Sequence, residues 1–213
     1  MKIKVCGMRD AENISELIKL KPDYMGFIFY DKSKRFVTSF PKIEIPSEIK
    51  KVGVFVNETI DDIIEIVKQN KLDAVQLHGN ETPKYCNKLL HSNLVSESPP
   101  IEIFKAFSID DNFDFSKTEP YQKVCNYLLF DTKGKDYGGN GVKFNWQVLD
   151  NYKGELPYML SGGITKNDSQ AILSFLRGQE SKKCIGVDIN SGFEIEPALK
   201  NINEIKEFKQ NLK

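Results

Sequence analysis

Histidine is scarce in this chain: of 213 residues, only His78 and His91 carry an imidazole. Two scattered histidines do not make the clustered His and Asp set that a metal-dependent enzyme requires. Cysteine is sparse as well. Cys6, Cys86, Cys125 and Cys184 form no CxxC pair and no zinc-like spacing with either histidine, and such scattered thiols suit a reducing compartment. Net charge is missing altogether, because 30 basic residues balance 30 acidic ones. That excludes bulk attraction to nucleic acid or to an anionic membrane, so any anion must be held by a local site. No stretch approaches about 18 consecutive apolar residues, and the opening MKIKVCG reads directly as a strand without the apolar segment of a signal peptide. A cytoplasmic protein is expected, with neither a membrane nor a nucleic-acid partner. Linkers, low-complexity tracts and short repeats are also lacking. A composition of 40% hydrophobic and 28% charged residues is ordinary for a globular protein with a sizeable core, so one domain over residues 1–213 is expected.

What the chain does have is eight short apolar runs. They are Ile3–Gly7, Tyr24–Phe29, Lys51–Val56, Ala74–His78, Ile101–Phe107, Asn126–Asp131, Tyr158–Ser161 and Cys184–Asp188. Most are rich in β-branched or aromatic residues, and near-continuous apolar runs suit strands buried on both faces of a parallel sheet. Helical spacing appears between them: Ile14, Leu17 and Ile18 share one face, and Ile60, Ile63, Ile64 and Val67 share another. Asp168 to Leu176 and Ala198 to Leu212 also read as helices, and the SESPP stretch stops the helix before it. The expected fold class is therefore α/β, and eight countable units favour closure into a single-domain (β/α)8 TIM barrel over a doubly wound open sheet.

In such a barrel the active site sits at the C-terminal ends of the strands, so polar residues that close an apolar run are the candidates. The first run ends in Cys6-Gly7, and the second leads into FYDKSKRF with Arg35. The third ends in Asn57, the fourth in Gln76-Leu77-His78-Gly79, and the fifth carries Lys105. The sixth ends in Asp131-Thr132-Lys133 and continues into Tyr137-Gly138-Gly139-Asn140-Gly141. The seventh ends in Ser161-Gly162-Gly163 and the eighth in Asp188-Ile189-Asn190-Ser191-Gly192. Glycine turns after strands seven and eight stand where barrels commonly hold a phosphate on backbone N–H groups. Asp131 would ordinarily cap a helix, but YGGNG delays any helix and reads instead as a loop able to cover a ligand. A strand cysteine is ordinarily a small buried hydrophobe, and Cys86, Cys125 and Cys184 read that way. Cys6 differs because Gly7 follows it at the strand end, which leaves it open as a nucleophile or a general base. Arg35 is either a solvated loop charge or a bidentate carboxylate ligand. His78 is either a hydrogen-bonded core imidazole or part of a site.

Together the stretches KVCGMRD, MGFIFYDKSKRFV, VGVFVNE, AVQLHGNE, LLFDT, YGGNGVKFNW, LSGGI and VDINSGFE resemble the phosphoribosylanthranilate isomerase family, in the family's order and nearly end to end. The resemblance implies a barrel enzyme that needs no cofactor or metal. Its substrate would be a small phosphosugar, N-(5-phosphoribosyl)anthranilate, converted to the 1-deoxyribulose 5-phosphate by an Amadori rearrangement. By motif match, Cys6 would be the general base and Asp131 the general acid, which burial would help to keep protonated. Arg35 would hold the anthranilate carboxylate, Asp188 would contact the sugar or the anthranilate amine, and His78 would line the site. Gly162, Gly163, Asn190, Ser191 and Gly192 would bind the phosphate. Asn190 stands where many members have serine, Asn145 replaces the aspartate of the FDW segment, and EPALKN replaces a Pro-Gly followed shortly by Lys-Asp. The resemblance leaves monomer and homodimer both open.

The competing enzymes are other phosphate-binding barrels. An indole-glycerol-phosphate synthase-like lyase would call on a strand-end lysine, for which Lys105 is the candidate. A non-catalytic phosphate sensor would have lost Cys6 or Asp131, and both are present.

Overall fold

Each apolar run becomes a strand. The computed structural model describes residues 1–92, 100–132, 144–178 and 180–212. In order, the strands are β1 (Lys2–Val5), β2 (Tyr24–Ile28), β3 (Lys50–Phe55), β4 (Ala74–Leu77), β5 (Glu102–Ile109), β6 (Tyr127–Thr132), β7 (Tyr158–Leu160) and β8 (Cys184–Ile189). Every neighbour pairs in parallel and in chain order, and β1 closes on β8 with Lys2 opposite Gly186 and Val5 opposite Ile189. The architecture is a closed eight-stranded (β/α) barrel.

Alternation along the strands divides the side chains into two sets. One set, with Ile3, Val5, Phe27, Phe55, Leu77, Phe130 and Val187, points outward and packs against the helices. These are α1 (Ala11–Ile18), α2 (Ile60–Asn70), α3 (Pro83–Leu90), α4 (Ser169–Leu176) and α5 (Ile202–Asn211). Each helix offers the buried face that its spacing predicts: Ile14 and Leu17 on α1, Ile63 and Val67 on α2, Ile205 and Phe208 on α5. The other set fills the barrel. Its floor is a cluster of Tyr24, Val52, Ala74, Phe104 and Met159, with Tyr24 edge-on to Phe104 at 5.5 Å and Phe104 stacked on Tyr127 at 4.7 Å. The aromatic floor closes the N-terminal end, so the cleft opens only at the other end.

Not every connection is helical. Residues 29–49, between β2 and β3, contain no helix; Pro41 and Pro46 interrupt that stretch. Phe40, Ile43 and Ile45 from it pack on the core in a helix's place. The connections after β5 and β6 carry 3-10 turns at Phe115–Tyr121 and Trp146–Asn151. Asn145 caps the second of these by accepting from Gln147 N, and Asn201 caps α5 by accepting from Glu204 N. Both asparagines therefore do what an aspartate would do there. Past β8 a short hairpin, β9 (Glu194–Glu196) with β10 (Leu199–Lys200), folds back over the end of the barrel.

Candidate active site

The strand ends converge on one cleft at the C-terminal mouth. Cys6, His78, Asp131, Gly162, Gly163, Asp188, Asn190, Ser191 and Gly192 all line it, together with Gln76 and Ser161. Arg35 does not. The loop read from YGGNG, Tyr137–Gly141, and Lys133 before it lie outside the described residues.

Cys6 follows directly on β1, its N–H bonded to Ile189 O at 2.9 Å. Two glycines make room for it. A Cβ on Gly26 would stand 2.8 Å from the thiol sulfur, and Gly7 turns the chain away at φ +77°. One alternation below lies Lys4, fully buried, with Nζ 2.8 Å from Asp188 Oδ1. The two are directly opposite in the β1–β8 register. Burial works against the Lys4 ammonium, but Asp188 and Cys6 outweigh it and hold its pKa above the ordinary lysine value. Burial pushes the Cys6 thiol up, against the pull of Lys4 and Lys200.

Across the barrel, Asp131 closes β6 and is 6% exposed. Its Oδ1 accepts from Thr132 N at 2.9 Å, and its Oδ2 lies 3.3 Å from His78 Nε2. On the far side of the imidazole, Gln76 Nε2 stands 3.0 Å from His78 Nδ1. The loop that carries His78 is pinned by Glu81, which accepts from Gly79 N and Asn57 N. Lys105 clamps the same loop. Its Nζ reaches Glu81 Oε2 at 2.9 Å and the carbonyls of Leu77, Gly79 and Ala106. A lysine with every N–H committed, and absent from the cleft lining, does not serve as a catalytic amine. That removes the feature on which the synthase-like alternative rested.

The two glycine turns abut. Gly162 (φ +95°) presses on Thr132, and a Cβ on Gly192 would overlap Ile164 O. The N–H groups of Gly163, Ser191 and Gly192 have no acceptor among the described residues. This corner therefore presents several free donors to an anion. Asn190 supports it from behind, its Oδ1 accepting from Lys200 Nζ at 2.7 Å. Lys200 also reaches Glu194 Oε1 at 2.6 Å, and burial lowers its pKa to about 8. Glu194 in turn grips Arg35, with Nε–Oε1 at 2.8 Å and Nη2–Oε2 at 2.6 Å. That bidentate bond keeps the guanidinium firmly protonated. Arg35 thus sits beside the cleft, over Gly7, with one edge committed to Glu194.

Three residues with a part in this geometry were not named by strand-end reading, Lys4, Glu194 and Lys200, and Gln76 was named there without a role. Lys4 carried a signal, a charge inside an apolar run two residues before Cys6. Glu194 and Lys200 belong to the hairpin past the last strand, where the strand-end rule does not look.

Comparison with known proteins follows the same lines. The family model described as N-(5'phosphoribosyl)anthranilate (PRA) isomerase matches residues 3–211. The N-(5'-phosphoribosyl)anthranilate isomerase of Parabacteroides distasonis is 44% identical, over 100% of this chain and 93% of the relative. The crystal structure of phosphoribosyl anthranilate isomerase from Thermotoga maritima superposes with a TM-score of 0.84 at 30% identity, over 100% of this chain and 98% of that one. A phosphoribosyl anthranilate isomerase in complex with reduced 1-(o-carboxyphenylamino)-1-deoxyribulose 5-phosphate gives 0.78 at 27% identity, with coverage of 100% and 98%. A barrel of this topology, a cleft of this make-up and a match across almost the whole sequence lead to one conclusion: the chain belongs to the N-(5'-phosphoribosyl)anthranilate isomerase family.

Proposed function

We propose that Cys6 and Asp131 are the general base and the general acid of an Amadori rearrangement on N-(5'-phosphoribosyl)anthranilate, the aldose–ketose isomerisation of tryptophan biosynthesis. Asp131 gives its proton to the furanose ring oxygen as the C1′–O bond breaks, leaving an iminium on the anthranilate nitrogen. Cys6 then takes the proton from C2′, and the resulting enolamine tautomerises to the ketone. One proton enters at oxygen and one leaves carbon, so the isomerisation balances without a redox partner. The observation that carries this reading is the placement of a thiol and a carboxyl on β1 and β6, facing one cleft from well-separated strands. Such a pair reaches both sides of a bound sugar.

The remaining groups fit the rest of the molecule. The free N–H donors of Gly163, Ser191 and Gly192 suit the phosphate. The edge of Arg35 not taken by Glu194 suits the anthranilate carboxylate, with bidentate geometry available to it. Asp188, at the cleft floor beside Cys6, suits the sugar hydroxyls or the amine.

The test is the fluorescence decay of freshly made phosphoribosylanthranilate, with Cys6→Ala and Asp131→Asn run beside the parent protein. Rapid loss with the parent, slowed at least about a hundredfold in each variant, is expected for one acid and one base. A folded parent that gives no decay above background overturns the substrate. A variant that keeps the parent rate overturns the role of that residue.

A further inference from the structure

Gln76 is buried in the barrel wall at 1% exposure, yet nothing in the reaction above uses it. It lines the cleft two residues before His78 on the same face of β4. Its amide nitrogen lies 3.0 Å from His78 Nδ1, and its amide oxygen has no partner among the described residues. The side chain is therefore committed to the imidazole alone. The chain of contacts continues through His78 Nε2 to Asp131 Oδ2 at 3.3 Å, and Asp131 Oδ1 is already occupied by Thr132 N.

A neutral imidazole donates from one nitrogen and accepts at the other. An amide N–H directed at Nδ1 would make Nδ1 the acceptor and place the ring proton of a neutral His78 on Nε2. His78 then points a donor, not a lone pair, at Asp131. This decides where an acid proton on Asp131 can go. A bare Nε2 would capture it. An Nε2–H instead occupies a lone pair of Oδ2 and leaves the Oδ2 proton to face the cleft. When that proton passes to the substrate's ring oxygen, the same Nε2–H bond remains, now to a carboxylate. A neutral hydrogen bond becomes a charge-assisted one as charge develops, which favours the transition state over the ground state. No proton moves between Gln76, His78 and Asp131 in this scheme; only the Asp131 proton leaves.

We infer that Gln76 is a positioning residue of the isomerase: it fixes His78 as a donor toward Asp131, so that the acid's proton is aimed at the substrate. The inference rests on the reading of Asp131 as the acid. Asp131 shares the cleft with His78 and Gln76 from the β4 end, Asp188 from β8 and Cys6 from the β1 end, and its charge acts on Asp188. Gln76 alone among them meets Asp131 through the imidazole.

The experiment reads the imidazole directly. His91 is exposed at the end of α3, so His91→Gln leaves one histidine to observe. Long-range proton–nitrogen correlation spectra of His78 are recorded with Gln76, Gln76→Leu and Gln76→Glu, alongside kcat and KM. With Gln76 the proton is expected on Nε2. Gln76→Leu should let the tautomers mix and lower kcat about 10- to 100-fold, with KM changed less than about threefold. Gln76→Glu accepts from Nδ1, so it should place a proton there and lower kcat at least as far, despite restoring a hydrogen bond. A proton found on Nδ1 in the Gln76 protein overturns the inference whether or not either variant folds. So does a folded Gln76→Leu with kcat within about twofold of the parent. Asp131→Asn, assayed separately, fails on its own terms if the acid is elsewhere, and the spectrum of His78 still distinguishes that case.

Discussion

A lysine that no solvent reaches, two residues from a proposed base, holds the least expected charge in the barrel. Lys4 balances Asp188 at 2.8 Å and leans on Cys6, so it stabilises both the fold and the thiolate. Replacing it should affect each separately. Lys4→Met leaves Asp188 buried without a partner, a loss of about 3–5 kcal/mol in urea unfolding, and the double variant Lys4→Met/Asp188→Asn should recover most of it. The thiol should also ionise at higher pH. The rate of Cys6 alkylation, followed peptide by peptide against pH, should shift upward in Lys4→Met, and an unshifted curve would remove Lys4 from the chemistry. At this scale the sequence was legible where a polar residue ends an apolar run. Cys6, His78, Asp131 and Asp188 each do so, and the structure brings all four to one cleft. Lys4 and Gln76 lie one alternation deeper, inside the run, where spacing assigns a side chain to the interior but names no partner. Arg35 was legible as a forked cation, but Glu194, its partner 159 residues away, was not.

Elements were easier to read than partners. All eight strands fall within about two residues of their apolar runs, because a strand covered on both faces can hold almost nothing polar except at its ends. The helices α1, α2 and α4 were also legible, whereas the helix expected from Ala198 starts only at Ile202, because Leu199–Lys200 pair with β9 as β10. The connection between β2 and β3 was not legible, since its apolar residues follow no period. There Phe40 meets Phe27 at 4.6 Å and Phe29 at 6.5 Å, and Phe29 stacks on Phe55 at 5.4 Å. An aromatic ladder thus covers strands that a helix would otherwise shield. Phe40→Ala should cost about 2–3 kcal/mol, in the range for a large aromatic lost from a partly exposed core site. Turnover per folded molecule should be unchanged, because Phe40 does not line the cleft. A loss below about half a kcal/mol in urea unfolding would mean that residues 29–49 only drape over the barrel.

For the whole molecule, the buried titratable groups set opposing slopes on stability against pH. Lys200 has its pKa lowered from 10.5 to about 8 by burial. Between those values the unfolded chain holds a proton that the folded protein lacks, so stability rises with pH by at most about 1.4 kcal/mol per unit. Cys6 and Cys184 are raised by burial above 9.0, Cys184 to about 11, and Cys125 is raised above it by its hydrogen bond with Cys86 and by burial. Above that pH the folded protein keeps a proton that the unfolded chain loses, and stability falls at the same limiting slope. Tyr24 and Tyr158, 1% and 0% exposed, are raised by burial above 10.0 and act as Cys6 does from there upward. Lys4, raised above 10.5, joins them later still. The slopes sum to a rise from about pH 8 to 9 and a fall beyond, where several groups oppose one and which steepens above about 10. Urea midpoints at about pH 7.5, 9 and 11 should therefore be highest at 9 and lowest at 11, and Lys200→Met should abolish the early rise. A protein as stable at pH 11 as at 9 would mean that Tyr24 in the floor and Tyr158 in the outer core ionise without unfolding. The aromatic layer beneath the site would then be open to water, and the cleft would not have the dry floor on which Lys4 and Cys6 depend for their coupling.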